Sequence, residues 1–389
     1  DLAQAFAGPA TSMYLADQGA EVIKVEPPTG DTTRRTRSQT SYSRPFLAVN
    51  RNKRSIAIDL RQDDGRAILY DLVRRADVLV HNGRPGVAER LKYDYPTVQP
   101  MNERLIYAWV NGWGTEGAYG TQRGADFPVQ GMSGILSRQR SPDGSPLRAG
   151  LWVADMSAPM VLSYGIALAL LMRGQTGRGQ MVTTSLLHAA LAMQTVNLVH
   201  LERGLPDSER LGYGDPERFN WSYPCRDGGY LAILFTTNDE WAGVCRAIAR
   251  PELVSDPRFE APPARNVNGM ELYQELRAAF ARFPRAAILS KLQAENVMCA
   301  PVNEWEEVFE EPQAVANGYF LETPHPAAGR VRSVAPAVRL SSGATAVPRR
   351  APYLGEHTRD ILAELGYDEA AIDRLAASKV VRAGSPGEN

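Results

Sequence analysis

Cysteine is nearly missing from this 389-residue chain. Cys225, Cys245 and Cys299 are odd in number and far apart, with no CxxC or Cys/His ligand spacing around them. That pattern carries neither a disulfide framework nor a zinc site, and it fits a reducing, cytoplasmic location. Lysine is scarce too: only Lys24, Lys53, Lys92, Lys291 and Lys379 stand among 43 basic residues. Arginine therefore carries almost all positive charge, and a lone arginine says little about phosphate binding. A net charge of -1 excludes the basic footprint that a nucleic-acid partner would require. Long apolar runs are absent as well; the longest, Ala158 to Met172, is about 15 residues against the roughly 20 that a bilayer demands. It reads as a buried helix, and no membrane partner is expected. HExxH, Walker and EF-hand patterns do not occur, and Gly131-Met132-Ser133-Gly134 is one residue short of a GxSxG elbow. The histidines, His81, His188, His200, His325 and His357, show no ligand spacing, so no metal and no tightly bound cofactor is expected.

What is present is an ordinary globular composition, 44% hydrophobic and 22% charged. The length exceeds the roughly 250 to 300 residues at which one core stops growing, which implies two domains. The opening residues read as a strand end turning into a helix over Pro9–Gln18, rather than as a basic-then-apolar leader. β-branched runs at Glu21–Val25, Ser55–Leu60, Asp77–Val80 and Arg104–Val110 alternate with helical stretches, among them Asp63–Arg75 with Ile68, Leu69, Leu72 and Val73 on one face. This alternation predicts an α/β fold with a parallel sheet covered on both faces. A polar, Pro- and Gly-rich stretch near 201–220 reads as a linker, and the composition from Trp221 to about Val302 predicts a small α+β domain. Strands are expected again at Gly329–Val334 and Ala337–Leu340, with two closing helices after them.

Ligands of open parallel sheets bind where the strands end, which directs attention to the loops Glu26–Arg34, His81–Pro85 and Asn111–Asp126. The last contains Gly112, Gly114 and Gly117, formally a GxGxxG. Loop-like residues follow where a phosphate-binding helix should begin, so it does not read as a dinucleotide site. Asp155 interrupts an apolar approach just before the buried helix. On local pattern it is an N-cap, or the neighbour of a cap at Ser157. Basic residues gather at Arg51, Lys53 and Arg54, at Arg61, and at Arg84 and Arg90. They form either a solvated edge or a pocket for phosphates.

Several segments, in this order and spacing, resemble the class III CoA-transferase (CaiB/BaiF) family, which includes formyl-CoA and carnitine CoA-transferases. They are Ala7-Gly8-Pro9, Leu15 to Ala20, Val22 to Glu26, Asn50 to Ser55, Asn82 to Gly86, Gln130 to Gly134, Ala154-Asp155, Thr176 to Gln180, Asp256 to Phe259 and Leu354 to Thr358. The resemblance implies a Rossmann-like large domain built from residues 1–200 and 306–389. It also implies a small α+β domain at 221–305 and an interlocked homodimer. Family members open with a strand ending in the Asp-Leu that is Asp1-Leu2 here, so a preceding segment is implied. CoA contacts carried over residue by residue fall on Phe6 and Ala7, on Ile58, Asp59, Leu60 and Arg61, and on Asn82, Gly83 and Arg84. They continue with Arg90 and with Arg123, Gly124, Ala125 and Asp126. Three positions depart from the family pattern: Pro27 replaces an arginine, Gly83 a phenylalanine and Ala125 a tyrosine.

The family nucleophile falls on Asp155. The implied activity moves CoA from an acyl-CoA donor to a carboxylic acid acceptor through an aspartyl anhydride and an aspartyl-CoA thioester. Backbone N–H groups at the start of the helix that follows would then stabilise the oxyanions. The α-methylacyl-CoA racemases share the fold and keep the aspartate, but pair it with a histidine where Ala125 stands here. Loss of that second base favours transfer over racemisation. A noncatalytic CoA-binding protein is the remaining alternative, and it would not need Asp155.

Overall fold

The computed structural model describes residues 1–35, 43–141, 143–200, 202, 222–342 and 348–384. Helices of seven or more residues are numbered below. The chain divides into two units, Asp1–Thr195 with Gly318–Asn389, and Val196–Asn317.

In the first unit, Asp1-Leu2 leads into α1 (Ala7–Asp17), β1 (Val22–Glu26), β2 (Lys53–Ile58), α2 (Asp63–Arg75), β3 (Val78–His81) and β4 (Ile106–Asn111). After these come α3 (Asp126–Met132), α4 (Val153–Thr176), β5 (Met181–Ser185) and α5 (Leu186–Ala192). β1 pairs in parallel with β2, and β4 lies in parallel between β3 and β5. Asp1 and Leu2 join the two groups. The Asp1 carbonyl accepts from Val25 N at 2.8 Å, and Leu2 N donates to the Val80 carbonyl at 2.8 Å. Strand ends of β1 to β5 therefore share one edge, the edge where a ligand of such a sheet sits. Next to Asp1, β1 and β3 flank a cavity of about 660 Å³ lined by Leu15, Ile23, Leu69 and Leu79 among others. Asp155 does not line it.

α4 is longer than the apolar run suggests, 24 residues rather than the stretch from Ala158 to Met172. Ala154, Ala158, Leu162 and Ile166 are buried with Val110 of β4 and Leu186 of α5 in one core cluster. A β-carbon on Gly165 would stand 2.8 Å from Val182 Cγ1, so the helix lies close against β5. By length and composition α4 is able to cross a bilayer. One face packs on β4, β5 and α5, while Met160, Tyr164, Leu168, Leu171 and Met172 on the other are exposed, so the helix expected to be buried is buried on one face only.

The second unit has its own core. Antiparallel strands β6 (Ser222–Pro224), β7 (Tyr230–Leu234) and β8 (Met298–Val302) pack with α6 (Asn238–Ala247), α7 (Gly269–Phe280) and α8 (Arg285–Ala294) around Trp241, Phe259 and Phe280. The expected linker at 201–220 lies, apart from residue 202, outside the described residues. Residues 196–200 and 306–317, assigned by sequence to the large domain, fall in the second unit. Arg285 accounts for the latter stretch: it donates to the Val302 carbonyl at 2.9 Å and pairs with Glu307 at 2.7 Å.

The chain returns to the first unit with the hairpin β9 (Phe320–His325) and β10 (Gly329–Val334). α9 (Thr358–Leu365), α10 (Glu369–Ala377) and β11 (Val381–Arg382) follow, the last antiparallel to β2. The strand expected at Ala337–Leu340 is irregular, and the partner of β10 is instead the preceding β9.

Candidate active site

Asp155 is not a cap. α4 begins at Val153, which puts Asp155 inside the first turn, and the capping carboxylate comes from Asp126 at the start of α3. One Asp126 oxygen accepts from Ala154 N at 2.7 Å and from Asp155 N at 3.2 Å. Met156 N donates to the Trp152 carbonyl at 3.0 Å. The N–H groups of Ala154, Asp155 and Met156 are thus engaged by Asp126 and by the Trp152 carbonyl. Pro159 lies four residues on and has no N–H to give the Asp155 carbonyl, so the first turn is held mainly from outside the helix.

Asp126 is itself held. It is buried, and its second oxygen accepts from Gln130 Nε2 at 2.5 Å, one helical turn along α3. Gln130 also donates to the Leu151 carbonyl at 3.1 Å and accepts from Ala149 N at 3.2 Å, which fastens the 148–152 segment to α3. Arg148 stands on that segment. Its guanidinium lies 4.5 Å from the centroid of Trp152 and 5.8 Å from that of Phe127, and it comes within 3.8 Å of Asp126. Trp152 in turn stacks on Phe6, with ring centroids 5.1 Å apart and planes at 25°.

These surroundings set the charge on Asp155. Burial, then the neighbouring Asp126 carboxylate, push its pKa from the ordinary 3.8 up to about 7, and Arg148 pulls part of the way back. The result is a carboxylate far more basic than a surface aspartate, fixed at the head of a helix and beside a guanidinium.

Of the residues that the resemblance assigns to CoA, some are structural. Asn82 clamps a strained turn: its Oδ1 accepts from Gln4 N at 2.8 Å, its Nδ2 donates to the Gln4 carbonyl at 2.5 Å, and Ala5 between that clamp and Phe6 takes a left-handed φ of 64°. The clamp delivers Phe6 to Trp152 and starts α1 at the buried Ala7. Gly83 leaves room for a neighbour, since a β-carbon there would sit 2.8 Å from the Tyr93 hydroxyl. His81 is buried against Tyr93, Tyr107 and Trp109, burial holds its pKa down at about 3, and its Nδ1 accepts from Gly83 N at 3.3 Å. That neutral ring shapes the 82–84 loop.

Ile58 ends β2, and Asp59, Leu60 and Arg61 follow it. Arg61 is exposed and grips Asp59 with two bonds of 2.8 Å, which hold the Asp59 carboxyl down at about 2. Arg84 and Arg90 lie exposed after β3, and Arg123, Gly124 and Ala125 are exposed at the entry to α3. Gly112 and Gly124 close the long loop after β4: a β-carbon on Gly112 would meet the Gly124 Cα at 2.5 Å. The structure therefore brings Phe6 and Asp126 together with Asp155, and leaves Arg61, Arg84, Arg90 and Arg123 along the strand-end edge. Sequence reasoning missed Arg148, Trp152 and Gln130 as site residues. The signal in the sequence was Trp152 itself, a large aromatic just ahead of the apolar run.

The family described as CoA-transferase family III matches residues 1–358. Succinyl-CoA:glutarate CoA-transferase of Mus musculus is 33% identical over 388 residues, covering 98% of this chain and 88% of that protein. Formyl-CoA:oxalate CoA-transferase of Streptomyces avermitilis is 32% identical over 401 residues, covering 98% and 97%. Among solved structures, a CaiB/BaiF family protein from Brucella suis superposes with a TM-score of 0.81 at 31% identity, covering 94% of this chain and 97% of the other.

Proposed function

The chain belongs to CoA-transferase family III, and from that premise we propose that it carries CoA from an acyl-CoA thioester to a carboxylic acid with Asp155 as nucleophile. The observation that carries this reading is the Asp155 carboxylate, raised to about 7 and held in the first turn of α4 by a cap that another residue supplies.

Asp155 attacks the donor thioester carbonyl, and the tetrahedral adduct expels CoA thiolate to leave a mixed anhydride. The thiolate attacks the Asp155 side-chain carbonyl, the donor acid departs as its carboxylate, and an aspartyl-CoA thioester remains. The acceptor carboxylate attacks the same carbonyl and expels thiolate, giving a second anhydride. Attack of thiolate on the acceptor's acyl carbon then releases the new thioester and restores the Asp155 carboxylate. A pKa near 7 suits this sequence. The group is ionised enough to attack at neutral pH and basic enough to be a competent nucleophile. Phe6 and Trp152 are apolar cover that lowers water activity around the anhydride.

CoA in this reading lies along the strand-end edge, with Arg61, Arg84, Arg90 and Arg123 turned to its phosphates. The names of the relatives pair succinyl-CoA with glutarate and formyl-CoA with oxalate, which makes small dicarboxylic acids the first acceptors to try. The protein acts as a homodimer whose two chains interlock. Support for a partner comes from α4, where Met160, Tyr164, Leu168, Leu171 and Met172 form an exposed apolar stripe opposite the buried one. A second copy of the chain covers it. Its three free cysteines suit the cytoplasm.

The test is a panel of acyl-CoA donors and acids, with mass spectrometry for a CoA adduct on Asp155 and deuterium exchange at the α carbon as control. Asp155→Ala is expected to abolish transfer while leaving CoA affinity within about twofold, as for loss of a group that acts only on the reacting atoms. Deuterium exchange without transfer would turn the reading to a racemase.

A further inference from the structure

We propose that Arg148 is the acid-binding residue of this transfer, taking the reacting carboxylate of the free acid on its guanidinium and presenting it to the Asp155 carbonyl. The inference rests on the transfer reading above and gives it a recognition site for the second substrate.

The need is electrostatic. An anionic acid must approach within bonding distance of Asp155 while the buried Asp126 carboxylate stays next door, and like charges that close repel one another. A cation has to offset this. Arg148 is the basic residue whose charge acts on Asp155. Backbone donors of the adjoining turn do not serve, because the N–H groups of Ala154 and Asp155 are taken by Asp126.

Arg148 also has capacity to spare. At 3.8 Å its contact with Asp126 is too long for a hydrogen bond, and among the described residues its guanidinium donates to no other group. Its side chain is 42% exposed, so an acid from solvent can reach it. The guanidinium is nonetheless oriented: it lies over Trp152, which stacks on Phe6, and its segment is tied to Gln130 at both Ala149 and Leu151. A planar, pre-oriented fork with free donors matches a carboxylate bidentately, which an ammonium would not do.

The experiment compares wild type, Arg148→Lys, Arg148→Gln and Arg148→Ala, with succinyl-CoA as donor and labelled succinate, oxalate and acetate as acids. Arg148→Gln is expected to raise KM for each acid by about 10- to 100-fold, the scale of one lost charge-assisted pair. KM for succinyl-CoA and the melting temperature change little. Arg148→Lys recovers part of the loss, and guanidinium ion added at millimolar concentration partly rescues Arg148→Ala. An unchanged KM for the acids, equal rises in KM for acid and thioester, or a loss confined to dicarboxylic acids would overturn the inference. If wild type itself forms no CoA adduct on Asp155 with any donor, the transfer reading falls first and this one with it. Adduct formation with normal acid kinetics in Arg148→Gln removes this inference alone.

Discussion

The raised pKa of Asp155 is a cost to the folded state at neutral pH, and Asp155→Asn should remove it. Its carboxyl has a pKa of about 7 in the folded protein against an ordinary 3.8. Between those values the folded state binds more protons than the unfolded one. The contribution to stability is therefore fully present below about 3.8 and is lost as pH rises through about 7. A shift of about three units corresponds to at most about 4 kcal/mol above pH 7. Partial exposure of the side chain to screening solvent reduces this to about 2 kcal/mol. An uncharged isostere is spared that penalty. Asp155→Asn should then be the more stable protein at pH 8, with a melting temperature higher by about 4 to 8 °C for a domain of this size. Circular-dichroism melts of both proteins at pH 8, 6 and 4.5 provide the assay. The difference should shrink steadily as the pH falls and nearly vanish at 4.5. A difference that does not vary with pH, or a wild type that is the more stable at pH 8, would refute the assignment of a strained, raised carboxyl to this position.

Replacing Asp126 with Asn keeps a capping oxygen but removes the charge, so the acid limb of the pH–rate profile should move to lower pH than the wild type's value near 7; an unmoved limb removes Asp126 as its cause. Gly112→Ala puts a β-carbon 2.5 Å from the Gly124 backbone. Opening the loop should cost about 1 to 3 kcal/mol of stability and weaken CoA binding by calorimetry, whereas an unchanged melt and affinity would disprove the close approach. Leu168→Glu places a charge in the exposed stripe of α4. Sedimentation should show a dimer for wild type and a 42.6 kDa species for the variant, and a variant that remains dimeric would move the interface elsewhere.

Most of the large unit could be read from periodicity, because β-branched runs alternate with one-sided helices such as α2, whose buried Ile68, Leu69 and Val73 recur at helical spacing. What escaped was set by contacts distant in sequence. The hairpin strand β9 contains Pro324 and alternates weakly, while Ala337–Leu340 has the better apolar pattern and, among the described residues, no strand to pair with. Arg148 is one more arginine in an arginine-rich chain until Trp152, Asp126 and Gln130 are placed around it. Asp155 presents the same difficulty in its sharpest form. An aspartate before an apolar helix has the pattern of a cap, and nothing within a few residues argues otherwise. The distinguishing fact is that Asp126, 29 residues upstream, already caps the turn. A helix needs only one such carboxylate. A second one in the same turn, half-buried and repelled by the first, adds a cost to the folded state near neutral pH, and that cost is what the proposed nucleophilic role of Asp155 would account for.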